Sequence, residues 1–207
     1  MIWTLRITFL LFIAWIVFLV SPFVALYDLS RAVEAKDVDT ITERVNFRAL
    51  RISLSRQIAS EFLKTRDGKE ELGGLDPRAA ANAGAVMVNP LVEQLVTPQA
   101  LIDLLEDGWP QAAAGSRRGG AAAPAVSPIS FDIGSLGQAL KLFFTSEGQG
   151  FRSVTVPVPV DEPRDKQFRL TLRLSGMTWR LTGVELPQAL RQELIRRAPK
   201  ATTLNIP

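Results

Sequence analysis

The stretch ITFLLFIAWIVFLVSPFVALY, residues 7–27, carries no charge, with Arg6 just before it and Asp28 just after it. A run of about 20 apolar residues is what one helix needs to cross the hydrocarbon core of a bilayer. Between Trp3 and Tyr27 a helix would rise about 36 Å. Those two aromatic residues would then stand near the two interfaces, where amphipathic rings are favoured. Pro22 cannot donate to the carbonyl four residues back, so it is expected to kink the helix or to end it. A helix ending near Ser21 would leave only Ile7–Val20 as the apolar core, a length closer to that of a cleaved secretory signal. Cleavage, however, asks for small residues just before the cut and two positions further back. A cut after Ala25 would put Phe23 at the further position, and a cut after Ser21 would put Leu19 there. The reading is therefore an uncleaved transmembrane signal-anchor over residues 1–27, with the bilayer as partner through residues 7–27. A buried core helix fits less well, because a helix apolar on every face needs a large protein around it.

Behind the anchor, residues 28–207 are enough for one domain of ordinary size. The chain has no cysteine and no histidine. Disulfides, thiolate metal sites and cysteine nucleophiles are thereby excluded, as are a Ser–His–Asp triad and the commonest general base. The net charge is +3 and the sequence pI about 9.6. The basic excess lies late: residues 150–207 hold ten Lys or Arg against five Asp or Glu. A mildly basic surface of this kind suits anionic headgroups. Nucleic acid is not an expected partner, since the basic residues form no dense run and have no aromatics interleaved.

Apolar spacing predicts a helix over 25–36, through Leu26, Leu29 and Val33. A short second helix follows, with Asp37 and Asp39 as candidate caps. A third runs over 47–64, where Phe47, Leu50, Leu54, Ile58 and Phe62 share a stripe. Residues 77–96 read as helical, with Asn89-Pro90 dividing or kinking the element. Thr97-Pro98 starts another helix, Thr97 as N-cap and Pro98 at its first position. Residues 111–127 are Ala, Gly, Ser and Pro around Arg117-Arg118, and read as a flexible loop inside the domain. Residues 129–144 read as a strand or a short helix. The period then changes. Phe151, Val154, Val156, Val158 and Val160 suggest a strand that Pro157 and Pro159 confine to an edge or an irregular arm. Phe168, Leu170, Leu172 and Leu174 alternate with Arg169, Thr171, Arg173 and Ser175, the pattern of a half-buried strand. Ser175-Gly176 turns the chain into a return strand over 178–186, and 187–197 closes as a helix with Leu190 and Leu194 inward. Helices first and an antiparallel sheet later make an α+β fold. Helices over 28–107 would cover one sheet face and leave a concavity between.

The segments SPFVALYDLSRAVEAKDVDTITERVNFRALRISL, LVTPQALIDLL and MTWRLTGVELP resemble a bacterial family of unknown function, domain-of-unknown-function family twenty-nine thirty-nine. Asp37-Val38-Asp39 and Trp179-Arg180-Leu181 are similar, more loosely, to positions of the nuclear-transport-factor-two-like cone. The chain departs from that cone in having fewer expected strands and an extra helix at 98–107. The family implies no activity, ligand or catalytic residue.

The functional expectation is an envelope protein of the bacterial inner membrane, single-pass, with its C-terminal domain on the periplasmic or extracytoplasmic side. A short charged head before an apolar run puts the amino terminus inside, although Arg31, Lys36 and Arg44 on the far side leave the positive-inside count undecided. The domain is expected to be a non-catalytic module for a small apolar ligand, a lipid or an envelope protein, with no catalytic, cofactor-binding or metal-binding residues and no cofactor. Two alternatives remain: a secreted soluble domain after signal cleavage, and a small cone-fold enzyme using a cavity carboxylate. For the enzyme the candidates are Asp132 and Glu147, whose pKa burial would raise. The acidic group Asp161-Glu162-Asp165, interrupted by Pro163 and Arg164, reads as a solvated turn rather than an oxygen-ligand metal site. Arg191, Arg196, Arg197 and Lys200 of the last helix are a further candidate for lipid contact.

Overall fold

The structure is a computed structural model describing residues 2–72, 74–107, 142, 144–148 and 150–197. In chain order its elements are α1 (Ile2–Glu34), α2 (Val38–Arg44), α3 (Phe47–Phe62), α4 (Arg66–Leu72), α5 (Pro77–Leu95), α6 (Pro98–Asp107), β1 (Glu147–Gly148), β2 (Ser153–Val158), β3 (Phe168–Ser175), β4 (Thr178–Glu185) and α7 (Gln188–Arg197). Helices thus come first and an antiparallel sheet of order β1-β2-β3-β4 later, the α+β arrangement that the change of period announces. The loop expected at 111–127 lies outside the described residues, as do Asp132 and most of 129–144.

Pro22 neither ends nor divides α1, which runs unbroken for 33 residues, about 48 Å. The reason is local. A proline at 22 leaves the carbonyl of residue 18 without its helical donor. The Ser21 hydroxyl supplies one, donating to the Phe18 carbonyl at 2.8 Å. The same Ser21 oxygen accepts from Trp179 Nε1 at 2.7 Å, and the Phe18 and Trp179 rings meet at 6.2 Å between centroids. The helix therefore has two different halves. From Trp3 to Val17 every side chain is exposed, whereas Ala25, Leu26, Leu29, Ala32 and Val33 are core residues. Residues 25–27 belong by charge to the apolar run, yet Ala25 and Leu26 are buried against the domain. Pro90 is likewise accommodated, within a single α5.

The helix ends are set by side chains. α1 closes with Lys36 in the left-handed region (φ 54°), the Asp37 N–H donating to the Ala32 carbonyl and the Lys36 N–H to the Val33 carbonyl. That is the Schellman pattern, in which glycine is usual at the left-handed position. Asp37 then caps α2, Asn46 caps α3, Asp76 caps α5 and Thr97 caps α6, each accepting from an orphan N–H of the first turn.

β3 pairs with β2 over six positions, from Ser153↔Arg173 to Val158↔Phe168. β1 reaches only Val154 and Thr155, so among the described residues β2 is an edge at Pro157, a place where proline is tolerated in a sheet. β3 and β4 form a hairpin closed by Gly176-Met177, with Ser175↔Thr178 as the last pair. Gly176 has φ +64°, which suits a two-residue turn with glycine first. A bulge follows: Leu172 opposes Leu181 while Thr171 opposes Gly183. The free edge of β4 is covered by α3. Gln57 Nε2 donates to the Val184 carbonyl at 2.9 Å and the Leu186 N–H donates to Gln57 Oε1 at 3.0 Å. The Asn46 N–H donates to the Leu181 carbonyl at 2.8 Å. At Gly183 the helix passes close: a Cβ there would lie 3.2 Å from Ser53 Oγ, a contact the serine side chain would have to yield to. The inner face of the sheet carries Val156, Phe168, Leu170, Leu172, Leu181 and Val184, all at most 2% exposed and packed with Leu26, Leu29, Ile41, Leu50 and Ile58. Where the sequence suggests a concavity between helices and sheet, these side chains fill the space.

Candidate functional site

Strand register decides what the outer face of the sheet presents. Arg173 and Arg180 are cross-strand partners, so both side chains leave the sheet on the same face. Arg152, one residue before β2, joins them. Its carbonyl accepts from the Leu174 N–H at 2.9 Å, and its guanidinium donates to the Leu174 carbonyl at 3.4 Å. With Asn46, Ser175, Gly176 and Thr182 these arginines line a cavity of about 310 Å³. Among the described residues no carboxylate lines it and none of the three arginines has an acidic partner. Arg169 is the contrast: it lies on the same face, two register steps from Arg173, between Glu147 and Glu185. Acids neutralise one end of the face and leave the hairpin end positive.

Unpaired guanidiniums can do one thing well. Their planar forks bind phosphate or carboxylate through paired, charge-assisted hydrogen bonds. Like charges placed opposite each other destabilise a sheet, so a bound anion would relieve a cost built into the hairpin. Two large exposed apolar residues stand next in sequence to lining residues Gly176 and Arg152. Met177 at the hairpin tip is 96% exposed and Phe151, beside Arg152, is 87% exposed. The nearby inner-face residue Trp179 holds α1 at Phe18 and Ser21. The cavity, the hairpin tip and the emergence of α1 from the core therefore share one end of the molecule.

The residues singled out by sequence lie elsewhere. Glu147 is a half-exposed β1 residue ion-paired to Arg169, not a carboxylate in a closed cavity; Asp132 is outside the described residues. Asp161, Glu162 and Asp165 sit in the β2–β3 connection, and no cluster of three potential metal-ligating side chains occurs among the described residues. In α7, Arg191 faces Glu61 at 4.0 Å and Arg196 pairs with Glu193 at 2.7 Å. The first turn of α7 is tied to the far end of the sheet, the Gln188 N–H donating to the Asp165 carbonyl. The arginines at 152, 173 and 180 were not singled out by sequence. The hairpin arithmetic held the signal: a two-residue turn between 175 and 178 sets 173 opposite 180.

Residues 11–104 match a family described as a protein of unknown function (DUF2939). The matched stretch runs from the exposed part of α1 into α6. The sheet and the arginine cavity lie beyond the matched residues. No curated protein and no solved structure matches the chain, so the likeness to the cone fold stands on its few residues alone.

Proposed function

We propose that this chain is a single-pass membrane protein of the bacterial envelope, carrying a non-catalytic binding domain held against the bilayer surface. One observation carries the reading: an apolar helix surface that nothing among the described residues covers. Trp3, Leu5, Phe9, Leu10, Leu11, Phe12, Trp15 and Val17 are each more than half exposed, and α1 is long and apolar enough to cross a membrane. A contiguous apolar surface of that size is hidden in soluble proteins. Residues 3–20 rise about 26 Å, close to the roughly 30 Å of a hydrocarbon core. The helix then enters the domain at Ser21, where Trp179 meets it, so the hairpin end of the sheet rests at the interface. Lack of cysteine and histidine, and the engagement of Glu147 by Arg169, support binding over catalysis.

Carbonate extraction of membranes tests the anchor, the full chain being expected to stay in the pellet. Release into the supernatant would overturn it. Protease treatment of spheroplasts tests orientation, with digestion of a C-terminal tag expected; a tag shielded until the inner membrane is broken would reverse the orientation.

A further inference from the structure

We propose that the cavity between Arg152, Arg173 and Arg180 binds the phosphate of an anionic phospholipid headgroup, with Met177 and Phe151 reaching into the adjoining acyl boundary. The proposal rests on the anchored reading above and names the ligand of that end of the domain. Three features point to this ligand. The cavity gathers three guanidiniums and no carboxylate, a donor set made for a phosphate. Its depth is right. Arg173 stands two residues from Ser175 at the hairpin turn, about 7 Å along a strand, and the headgroup layer of one leaflet is about 6 Å thick. The exposed apolar residues Met177 and Phe151 each adjoin a lining residue in sequence, Gly176 and Arg152. A phosphate dissolved in water has no use for such a rim, whereas a lipid presents its phosphate beside its acyl chains. At about 310 Å³ the space lies near the lower bound of small-ligand sites, roughly 300 Å³, and suits a headgroup rather than a whole lipid.

The test uses the full chain in neutral detergent and native mass spectrometry. The probes are short-chain phosphatidylglycerol, short-chain phosphatidylcholine and inorganic phosphate. The wild type is expected to bind phosphatidylglycerol at least about tenfold more tightly than phosphatidylcholine, and Arg173→Gln/Arg180→Gln to lose at least about tenfold. Arg196→Gln, which removes a cation outside the cavity, is expected to bind as the wild type does. Arg152→Gln serves as an independent second variant, with thermal melts confirming that each variant is folded. Equal binding by wild type and the double variant overturns the site. Full displacement of phosphatidylglycerol by inorganic phosphate overturns the lipid as the source and leaves a free anion as occupant. Carbonate extraction is read separately: a chain released by carbonate fails the anchor, and equal lipid binding by a chain that stays in the membrane fails the cavity alone.

Discussion

Ser21→Ala is the most informative single substitution, because Ser21 is the middle of a relay running from Trp179 Nε1 through the serine hydroxyl to the Phe18 carbonyl. Without the hydroxyl, two polar groups lose partners at once. The Trp179 side chain is 5% exposed, so its N–H has no ready access to water. The Phe18 carbonyl has no other helical donor, since residue 22 is proline. Each unsatisfied group costs about 1 kcal/mol at the lower end of the usual range, together about 2 kcal/mol. For a domain of this size that is a fall in Tm of about 4–8 °C. Trp179→Phe keeps a ring against Phe18 and leaves the Ser21–Phe18 bond intact, so it is expected to cost about 1 kcal/mol. In the double variant the orphaned indole N–H no longer exists, and the two losses should fall short of additivity by about 1 kcal/mol. Thermal unfolding of the four proteins in neutral detergent, followed by far-ultraviolet circular dichroism, measures this cycle. A Ser21→Ala protein within about 0.5 kcal/mol of wild type, or strictly additive losses, would refute the account of how α1 passes Pro22.

Four further outcomes are expected. Arg180→Thr should raise stability in low-salt neutral detergent by about 0.2–1 kcal/mol by relieving the like-charge pair with Arg173, and added salt should shrink the gain; a loss of stability at low salt would count against an unneutralised pair. Gln57→Leu should cost about 1–3 kcal/mol, because the Val184 carbonyl and the Leu186 N–H lose their partner on the covered edge; unchanged hydrogen exchange at the Leu186 amide would contradict this. Lys36→Gly should raise Tm while Lys36→Ala does not, since only glycine occupies φ 54° without strain; equal melts for the two would remove backbone strain as the cause. Finally, the Asp37 carboxyl is held below its ordinary value of 3.8, first by the Thr40 hydroxyl and then by the Thr40 N–H. Its folded pKa is depressed, so its contribution is complete above about pH 4 and fades as pH falls through the lowered value. The Tm gap between wild type and Asp37→Ala should therefore close in acid, and a gap independent of pH would dispose of the charged cap.

Periodicity made the class of the fold legible. The alternation at 168–175 reports a strand with one wet face, and the stripe at Leu50, Leu54 and Ile58 reports a helix with one dry face. Caps at Asp37 and Thr97 could be read as local chemistry. Pro22 could not. Its expected effect follows from its missing N–H alone, whereas its tolerance rests on the neighbouring Ser21 hydroxyl, whose oxygen also accepts from Trp179, 158 positions away. The strand prolines show the converse: Pro157 demanded an edge, and β2 has one beyond the reach of β1. The arginine cavity was half legible. Arg173 stands on the wet face by alternation, and Arg180 opposes it by turn length, but Arg152 enters through a backbone pairing with Leu174 that no spacing reveals.

The continuity of α1 bears directly on what the cavity can do. A domain hung on a flexible linker samples distances of about 5–6 Å times the square root of the linker length and all orientations. Any contact with headgroups must then offset the entropy of orienting the whole domain. Here the same helix that carries the exposed apolar surface carries Leu26 and Leu29 in the core, with no linker between. On the proposed anchoring, the orienting entropy is removed when the domain folds onto α1, before any lipid is met. The hairpin, with Met177 at its tip, then faces the interface by construction, and a weak phosphate contact suffices for occupancy because the ligand is a component of the surface the domain already touches. The Ser21–Trp179 relay sits at that junction. It turns a helix breaker into the point where the sheet is fastened to the anchor, so that breaking the relay should loosen the lipid site along with the fold.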